Sequence, residues 1–391
     1  MELKQGYKQT EVGVIPEDWE DINLGKIADI RMCKRIFAEQ TNPSGDIPFF
    51  KIGTFGKTPD AFISCDLYRE YKRKYSFPEK GDILLSAAGT LGKTVVYDGQ
   101  DAYFQDSNIV WLQIDPHKVT NEYLYHCYQV IKWTSPEGST ISRLYNGIIR
   151  NTQIPLPPTK EEQRAIATAL SDVDALLDGL DRLIAKKRDL KQAAMQQLLT
   201  GKTRLPGFEG EWEVKRLGDV VEIKKGQLIT SSTLKQGDIP VIAGGKQPAY
   251  FNASANRFGR TVTISASGAS AGFVALYDEP IFASDCSTIS ESESYCLDFI
   301  FHNLQSKQQT IYKAQTGGAQ PHIHAKDLNP IPFAFPSLPE QTAIATVLSD
   351  MDAEIATLEQ RRNKTKNMKQ AMMQELLTGK TRLVTPGGSN G

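Results

Sequence analysis

None of the five cysteines, Cys33, Cys65, Cys127, Cys286 and Cys296, stands in a C-x-x-C spacing. The chain therefore encodes no zinc ribbon and no dithiol redox motif, and the scatter suits a reducing compartment better than a disulfide framework. No apolar run approaches the roughly 20 residues needed to cross a bilayer. The opening MELKQGYKQTEVGVIPEDWE lacks the apolar stretch of a secretory signal. An excess of one charge is missing too: 45 Lys and Arg against 46 Asp and Glu leave a formal net charge of −1. That balance argues weakly against a strongly electrostatic nucleic-acid binder, although an average hides any basic patch offset by acid elsewhere. What remains is the expectation of a cytoplasmic protein whose 391 residues exceed a single core and divide into two or three domains.

What is present is a duplication. Glu162–Leu205 reads EQRAIATALSDVDALLDGLDRLIAKKRDLKQAAMQQLLTGKTRL, and Glu340–Leu383 repeats it without a gap at 26 of 44 positions. Each copy follows a proline-rich stretch, contains no internal proline and ends at Thr-Gly, the punctuation of a helix. The apolar residues step by four and three along a seam: Ile166, Leu170, Val173, Leu177, Leu180 and Leu198 in the first copy, and Ile344, Leu348, Met351, Ile355, Leu358 and Leu376 in the second. This is coiled-coil spacing, apolar toward each end and polar around the same centre (Lys187 and Lys191; Arg362, Thr365 and Lys369). Two matching stripes in one chain predict an antiparallel pair. About 36 helical residues span roughly 54 Å, longer than the roughly 34 Å of one turn of B-DNA. A plain dimerisation or scaffold coiled coil satisfies the same pattern.

The segments before the helices match more faintly. Trp19 and Trp212 both open a W-x4-LG pattern, and Gly45-Asp46-Ile47-Pro48 recurs as Gly237-Asp238-Ile239-Pro240. The strand leading to Ser86-Ala87-Ala88-Gly89 recurs before Ser265-Ala266-Ser267-Gly268, with Asp106-Ser107 and Asp285-Cys286 following at equal distance. Each segment reads as a mixed α/β domain of short strands and long loops, with a helix near Glu122–Ile131 or Leu297–Gln308. A common frame with divergent loops predicts two binding surfaces of different specificity.

Motifs for catalysis are incomplete. Four Gly-Lys-Thr tripeptides open at Gly56, Gly92, Gly201 and Gly379, but the glycine that a phosphate loop needs five positions earlier is Lys51, Ala87, Gln196 and Gln374. Pro59-Asp60 with Glu70-Tyr71-Lys72 mimics a metal-dependent nuclease, yet it lies in a polar stretch rather than on a buried strand. Asn329-Pro330-Ile331-Pro332 misplaces the second proline and the aromatic of an amino-methyltransferase loop, and His322-Ile323-His324 has no third metal ligand nearby. No catalytic or metal residue is therefore expected.

Basic and aromatic residues interleave in Tyr68–Tyr75, where Arg69, Lys72, Arg73 and Lys74 suit phosphate contact. A solvated helix face explains them equally well. Ser86, Thr90, Lys93 and Arg143 are further candidates in the first half. Lys224, Lys225, Lys246, Gln247, Arg257, Arg260, Lys313, Gln315, Gln320 and His322 are their counterparts in the second.

With the paired PLPPTKEEQRAIATALSDVDAL and FPSLPEQTAIATVLSDMDAE, the paired QLLTGKTRL and ELLTGKTRL, the W-x4-LG starts and GDILLSAAGTLGK, the chain closely resembles the specificity subunit of a type I restriction-modification system. The resemblance implies a mixed α/β (α+β) fold with target recognition domains at 1–158 and 206–336, a central spacer helix at 159–205, a C-terminal spacer helix at 337–383 and a disordered tail at 384–391. It further implies that this chain reads a bipartite double-stranded DNA target and binds no cofactor itself. Two methyltransferase subunits would bring S-adenosylmethionine for N6-adenine methylation, and two nuclease-translocase subunits would join for restriction. A methylation-only or type IIB-like system uses such a chain as well. A protein-binding scaffold and a stand-alone nuclease or NTPase are the competing classes.

Overall fold

The computed structural model describes residues 5–135, 142–230, 233–317 and 320–384. Its contacts gather into two units, Met1–Asp178 with Asn363–Gly391, and Gly179–Arg362. The expected disordered tail lies outside the described residues from 385 onward.

The first unit opens with the hairpin β1 (Tyr7–Thr10) and β2 (Gly13–Pro16), then β3 (Glu20–Asn23), β4 (Ala28–Met32), β5 (Ile47–Phe50) and β6 (Phe62–Ile63). After α1 (Cys65–Lys74) come β7 (Ile83–Ser86), β8 (Thr94–Val96), β9 (Tyr103–Phe104) and β10 (Ile109–Ile114). Helices α2 (Asn121–Val130) and α3 (Asn146–Asn151) and strand β11 (Gln153–Leu156) lead to the long α4 (Lys160–Leu198). The main sheet is antiparallel in the order β4-β10-β7-β8. Successive strand side chains alternate between its faces. Ile83, Leu85, Val110 and Leu112 enter one core, while Leu84, Ile109 and Trp111 enter another. Both faces are covered, which is why ILL and IVWL read as unbroken apolar runs rather than as an alternation.

The second unit repeats this plan. It comprises β12 (Glu213–Arg216), α5 (Leu217–Val220), β13 (Lys224–Lys225), β14 (Ile239–Ile242), β15 (Tyr250–Asn252), β16 (Thr261–Ser265), β17 (Val274–Tyr277), β18 (Phe282–Ala283) and β19 (Cys286–Ser290). Then follow α6 (Leu297–Ser306), α7 (Gln308–Lys313), α8 (Ala325–Leu328), β20 (Pro332–Phe335) and the second long helix, α9 (Leu338–Leu376). The order β13-β19-β16-β17 matches β4-β10-β7-β8, and β15-β14-β18 matches β6-β5-β9, down to one parallel pair in each small sheet. The register corrects one expected match. Ser86 pairs with Ile109 and Ser265 with Cys286, so Asp285 corresponds to Asn108 rather than to Asp106. Two extra residues in the first unit, Asp106 and Ser107 (φ +54°), bulge out and displace the alignment.

Each unit holds one end of each long helix, and the two ends run in opposite directions. In the first unit, Ile166 and Leu170 of α4 share a core with Met373, Leu376 and Leu377 at the close of α9. In the second, Leu198 and Leu199 share one with Ile344, Ala345 and Leu348 at the start of α9. The helices are thus an antiparallel pair. Ile166, Leu170, Leu180, Leu198, Ile344, Leu348, Ile355 and Leu376 of the expected seam are buried, and Val173, Leu177, Met351 and Leu358 are half-buried.

Polar residues take over between those apolar ends. Lys369 Nζ lies 2.6 Å from Asp174 in the first unit, and Lys191 Nζ lies 2.6 Å from Asp352 in the second. Repeated residues also clamp the helix termini. In the second unit Arg204, from the first GKTRL, forms a bidentate pair with Glu340 at 2.5 and 2.7 Å and lies 5.4 Å from the Trp212 ring. Arg382, from the second GKTRL, does the same in the first unit with Glu162, adds Asp18 at 2.9 Å and covers Trp19 at 5.7 Å. Gly201 and Gly379, at φ +69° and +68°, make the left-handed turn that ends each helix before its clamp. Among the described residues, no helix is long and apolar enough to cross a membrane.

Candidate nucleic-acid interface

In each unit, loops at one end of the main sheet are tied together by backbone contacts. In the second unit the turn after β16 bridges the segment after α7 through Ser267 and His322, and Ile323 N donates to Ala266 O at 2.9 Å. Ala266 N donates to Asp285 O at 3.0 Å, which brings in the segment before β19. The loop after β14 packs on both. A Cβ at Gly244 would lie 2.6 Å from Ser267 O and 3.3 Å from Asp285 Oδ2, so only glycine lets the backbone approach this closely. Ser267 Oγ donates to the Asp285 carboxylate. Lys246 Nζ stands 5.6 Å from the Phe273 ring, and Gln315 Nε2 donates to Ala271 O at 2.7 Å.

The first unit has the same assembly with different side chains. Ala88 bridges Arg143, Leu144 N donates to Ala87 O at 2.8 Å, and Ala87 N donates to Asn108 O at 2.7 Å. Arg143 Nη2 donates to Ser107 O at 3.2 Å, and Arg35 pairs with Asp106 at 2.9 Å. At matched positions, Ala88, Asn108 and Arg143 stand where the second unit carries Ser267, Asp285 and His322. Such a cluster offers hydrogen-bond donors and acceptors to a polar ligand. Among the described residues it contains no group of three or more metal-binding side chains.

The structure divides the candidate residues. Thr90, Lys93 and Arg143 belong to the first loop cluster, with Lys93 Nζ turned back to Phe55 O at 2.5 Å. Lys246, Gln247, Gln315, Gln320 and His322 belong to the second, where the rings of His322 and His324 stack 6.1 Å apart. Arg69, Lys72, Arg73 and Lys74 lie on α1, outside this cluster. Lys72 is drawn 5.0 Å from the Tyr68 ring and 3.7 Å from Asp101, while Lys74 pairs with Glu70. Lys224 and Lys225 lie on the edge strand β13, Lys224 beside Glu222, and Lys313 closes α7.

Three candidates make internal contacts. Ser86 is 1% exposed and spends its hydroxyl on Thr90 O and Lys93 N, so it holds its own turn. Arg257 donates to Thr288 Oγ1, Asn256 O and Lys225 O, stitching β13 to β19. Arg260 forms a bidentate pair with Asp298 at 2.6 and 2.7 Å and bonds Asp278 at 2.7 Å, which pushes its pKa up. The clamps formed by Arg204 and Arg382 were not anticipated, although their signal was available: both arginines and their partners Glu340 and Glu162 are identical positions of the repeat.

Comparison with known proteins bears on the duplicated frame. A family model described as a type I restriction modification DNA specificity domain matches residues 16–186 and again residues 209–367. A Haemophilus influenzae chain named as a type I restriction enzyme specificity subunit is 58% identical over 146 residues, 37% of this chain and 38% of that relative. A Methanocaldococcus jannaschii type I restriction enzyme specificity subunit is 24% identical over an alignment of 424 residues, covering 97% of each chain. The type I restriction-modification S subunit of M. genitalium has a TM-score of 0.67 at 18% identity, over 96% of this chain and 98% of that one, and so shares the fold.

Proposed function

Because the chain belongs to the family of type I restriction modification DNA specificity domains, we propose that it is the sequence-reading subunit of a type I restriction-modification complex. Each loop cluster reads one half of a two-part double-stranded DNA target, and the helix pair sets the unread gap. The observation that carries this reading is the repeated loop cluster: one frame, closed by the same backbone bonds in each unit, presents Ala88, Asn108 and Arg143 in one case and Ser267, Asp285 and His322 in the other. Identical supports with different tips suit two half-sites of different sequence, since base edges are read by side chains while phosphate contacts set register.

On this reading the chain is not itself catalytic and binds no cofactor. Two methyltransferase subunits bring S-adenosylmethionine, and nuclease-translocase subunits join for restriction, in the cytoplasm. Leu176, Leu183 and Leu190 support docking of such partners: they recur every seven residues along α4 and stay 43%, 38% and 47% exposed, a second stripe beside the one the helix pair uses.

The test is to sequence methylated bases in the genomic DNA of cells with and without this chain, and to copurify it with its methyltransferase. The expected outcome is a two-part adenine-methylated motif that appears only with the chain, and a complex of two methyltransferase subunits per copy. Methylation or cleavage by the isolated chain would overturn it.

A further inference from the structure

The two loop clusters differ most consequentially at one matched position, Asn108 in the first unit and Asp285 in the second. The Asp285 carboxylate has a hydroxyl rather than a cation as its described partner, Ser267 Oγ, whereas in the first unit Asp106, two residues before Asn108, is neutralised by Arg35 at 2.9 Å. Gly244, packed against Ser267 O and 3.3 Å from Oδ2 when a Cβ is built on it, brings no side chain to cover the carboxylate. Asp285 remains only partly buried.

A carboxylate offers acceptors only, and a polyanion repels it unless it meets a donor. On the major-groove edge the donors are the exocyclic amines, N4 of cytosine and N6 of adenine. Resting on the function proposed above, we infer that Asp285 is a specificity-determining residue of the second unit, accepting a hydrogen bond from an exocyclic amino group of the base it reads. Ser267 orients the carboxylate through its hydrogen bond to it. Asn108, which carries an acceptor and a donor, reads the matched place in the other half-site with a different preference.

The experiment compares methylated motifs made by complexes carrying the native chain, Asp285→Asn and Ser267→Ala. Asp285→Asn keeps the shape and an acceptor for Ser267 but removes the charge and adds a donor. The expected result is a discrimination loss of about tenfold or more at one base pair of one half-site, with the other half-site and the gap unchanged. A native cytosine at that pair identifies the N4 amine as the donor, and a native adenine the N6 amine. An unmoved motif in both halves with full methylation overturns the inference.

Ser267→Ala decides the case in which Asp285→Asn does not fold, because it keeps the carboxylate and deletes the loop contact. A shift at the same base pair in Ser267→Ala, with the melting temperature unchanged, supports a direct role for the carboxylate that Ser267 orients. If Ser267→Ala instead reproduces the Asp285→Asn defect and melts lower, Asp285 serves the loop and the inference falls. Failure of the underlying function looks different: the native complex then yields no two-part motif at all, rather than one that a substitution leaves in place.

Discussion

His126 and His302 occupy matched places, each on the helix that packs against α4 or α9, each 1% exposed and each with Nε2 3.1 Å from a serine hydroxyl, Ser171 or Ser349. Burial depresses both imidazoles. It takes His302 down to about 4, with Lys191 reinforcing the shift and Asp352 opposing it, while His126 is lowered for the same first reason. His302 is therefore neutral at pH 7, and its Nδ1, 4.0 Å from Asp352, does not form an ion pair there. Below about pH 6.5 the unfolded chain takes up a proton that folded His302 refuses, so this contribution to stability is intact above that pH and is lost progressively toward pH 4. The loss from His302 alone is about 3 kcal/mol. Urea melts at pH 7, 5 and 4 check it: the acid-induced drop is smaller in His302→Gln than in the native chain, and an equal drop in both would assign the acid limb to carboxylates alone. None of this was legible in the sequence. His126 and His302 fall outside the clear repeat, and the burial that shifts them comes from residues far along the chain.

At the scale of elements, the long helices were readable and the loops were not. Periodicity predicted both helices and their seam because coiled-coil stripes are local, and ILLS and TVTIS announced the central strands. The tips resisted because their partners, such as Ala88 with Arg143 or Ser267 with His322, are set by sheet topology rather than by spacing. Two bulged residues were enough to misalign Asp285. The helix pair also carries a measurable constraint. Asp174 and Lys191 on α4 are as far apart in sequence as Asp352 and Lys369 on α9, and each unit closes one pair, Asp174–Lys369 in the first and Lys191–Asp352 in the second. Inserting four residues, about one turn, into α4 alone between Leu177 and Lys187 breaks that equality. The expected result is a changed gap in the methylated motif or loss of methylation, read by the same genomic sequencing. An unchanged gap with full activity would remove the helices' role as a ruler.

For the whole molecule, the legible part was the doubling and the illegible part was the exchange within it. The sequence shows two like halves in tandem, yet neither compact unit is a half: the first needs Asn363 onward, and Arg382 reaches back to Glu162 and Asp18. Removing residues 379–391 takes away the Gly379 turn and the Arg382 clamp over Trp19 while leaving every residue of the second unit in place. Scanning calorimetry is expected to show the first unit melting several degrees lower and the second unchanged; equal shifts in both would mean that the units melt as one. The GKTRL pair, which as sequence invited comparison with a phosphate loop, is the fastening at the end of each helix.

That fastening reverses the usual order in which a newly made chain matures. Domains commonly fold as they leave the ribosome, the first-made first, but the first unit stays unsealed until the stretch from Asn363 through Arg382 has been synthesised. The second unit is one continuous stretch, already complete by Arg362. The later-encoded reader is therefore finished first, and the earlier one waits for the second half of α9 and its clamp.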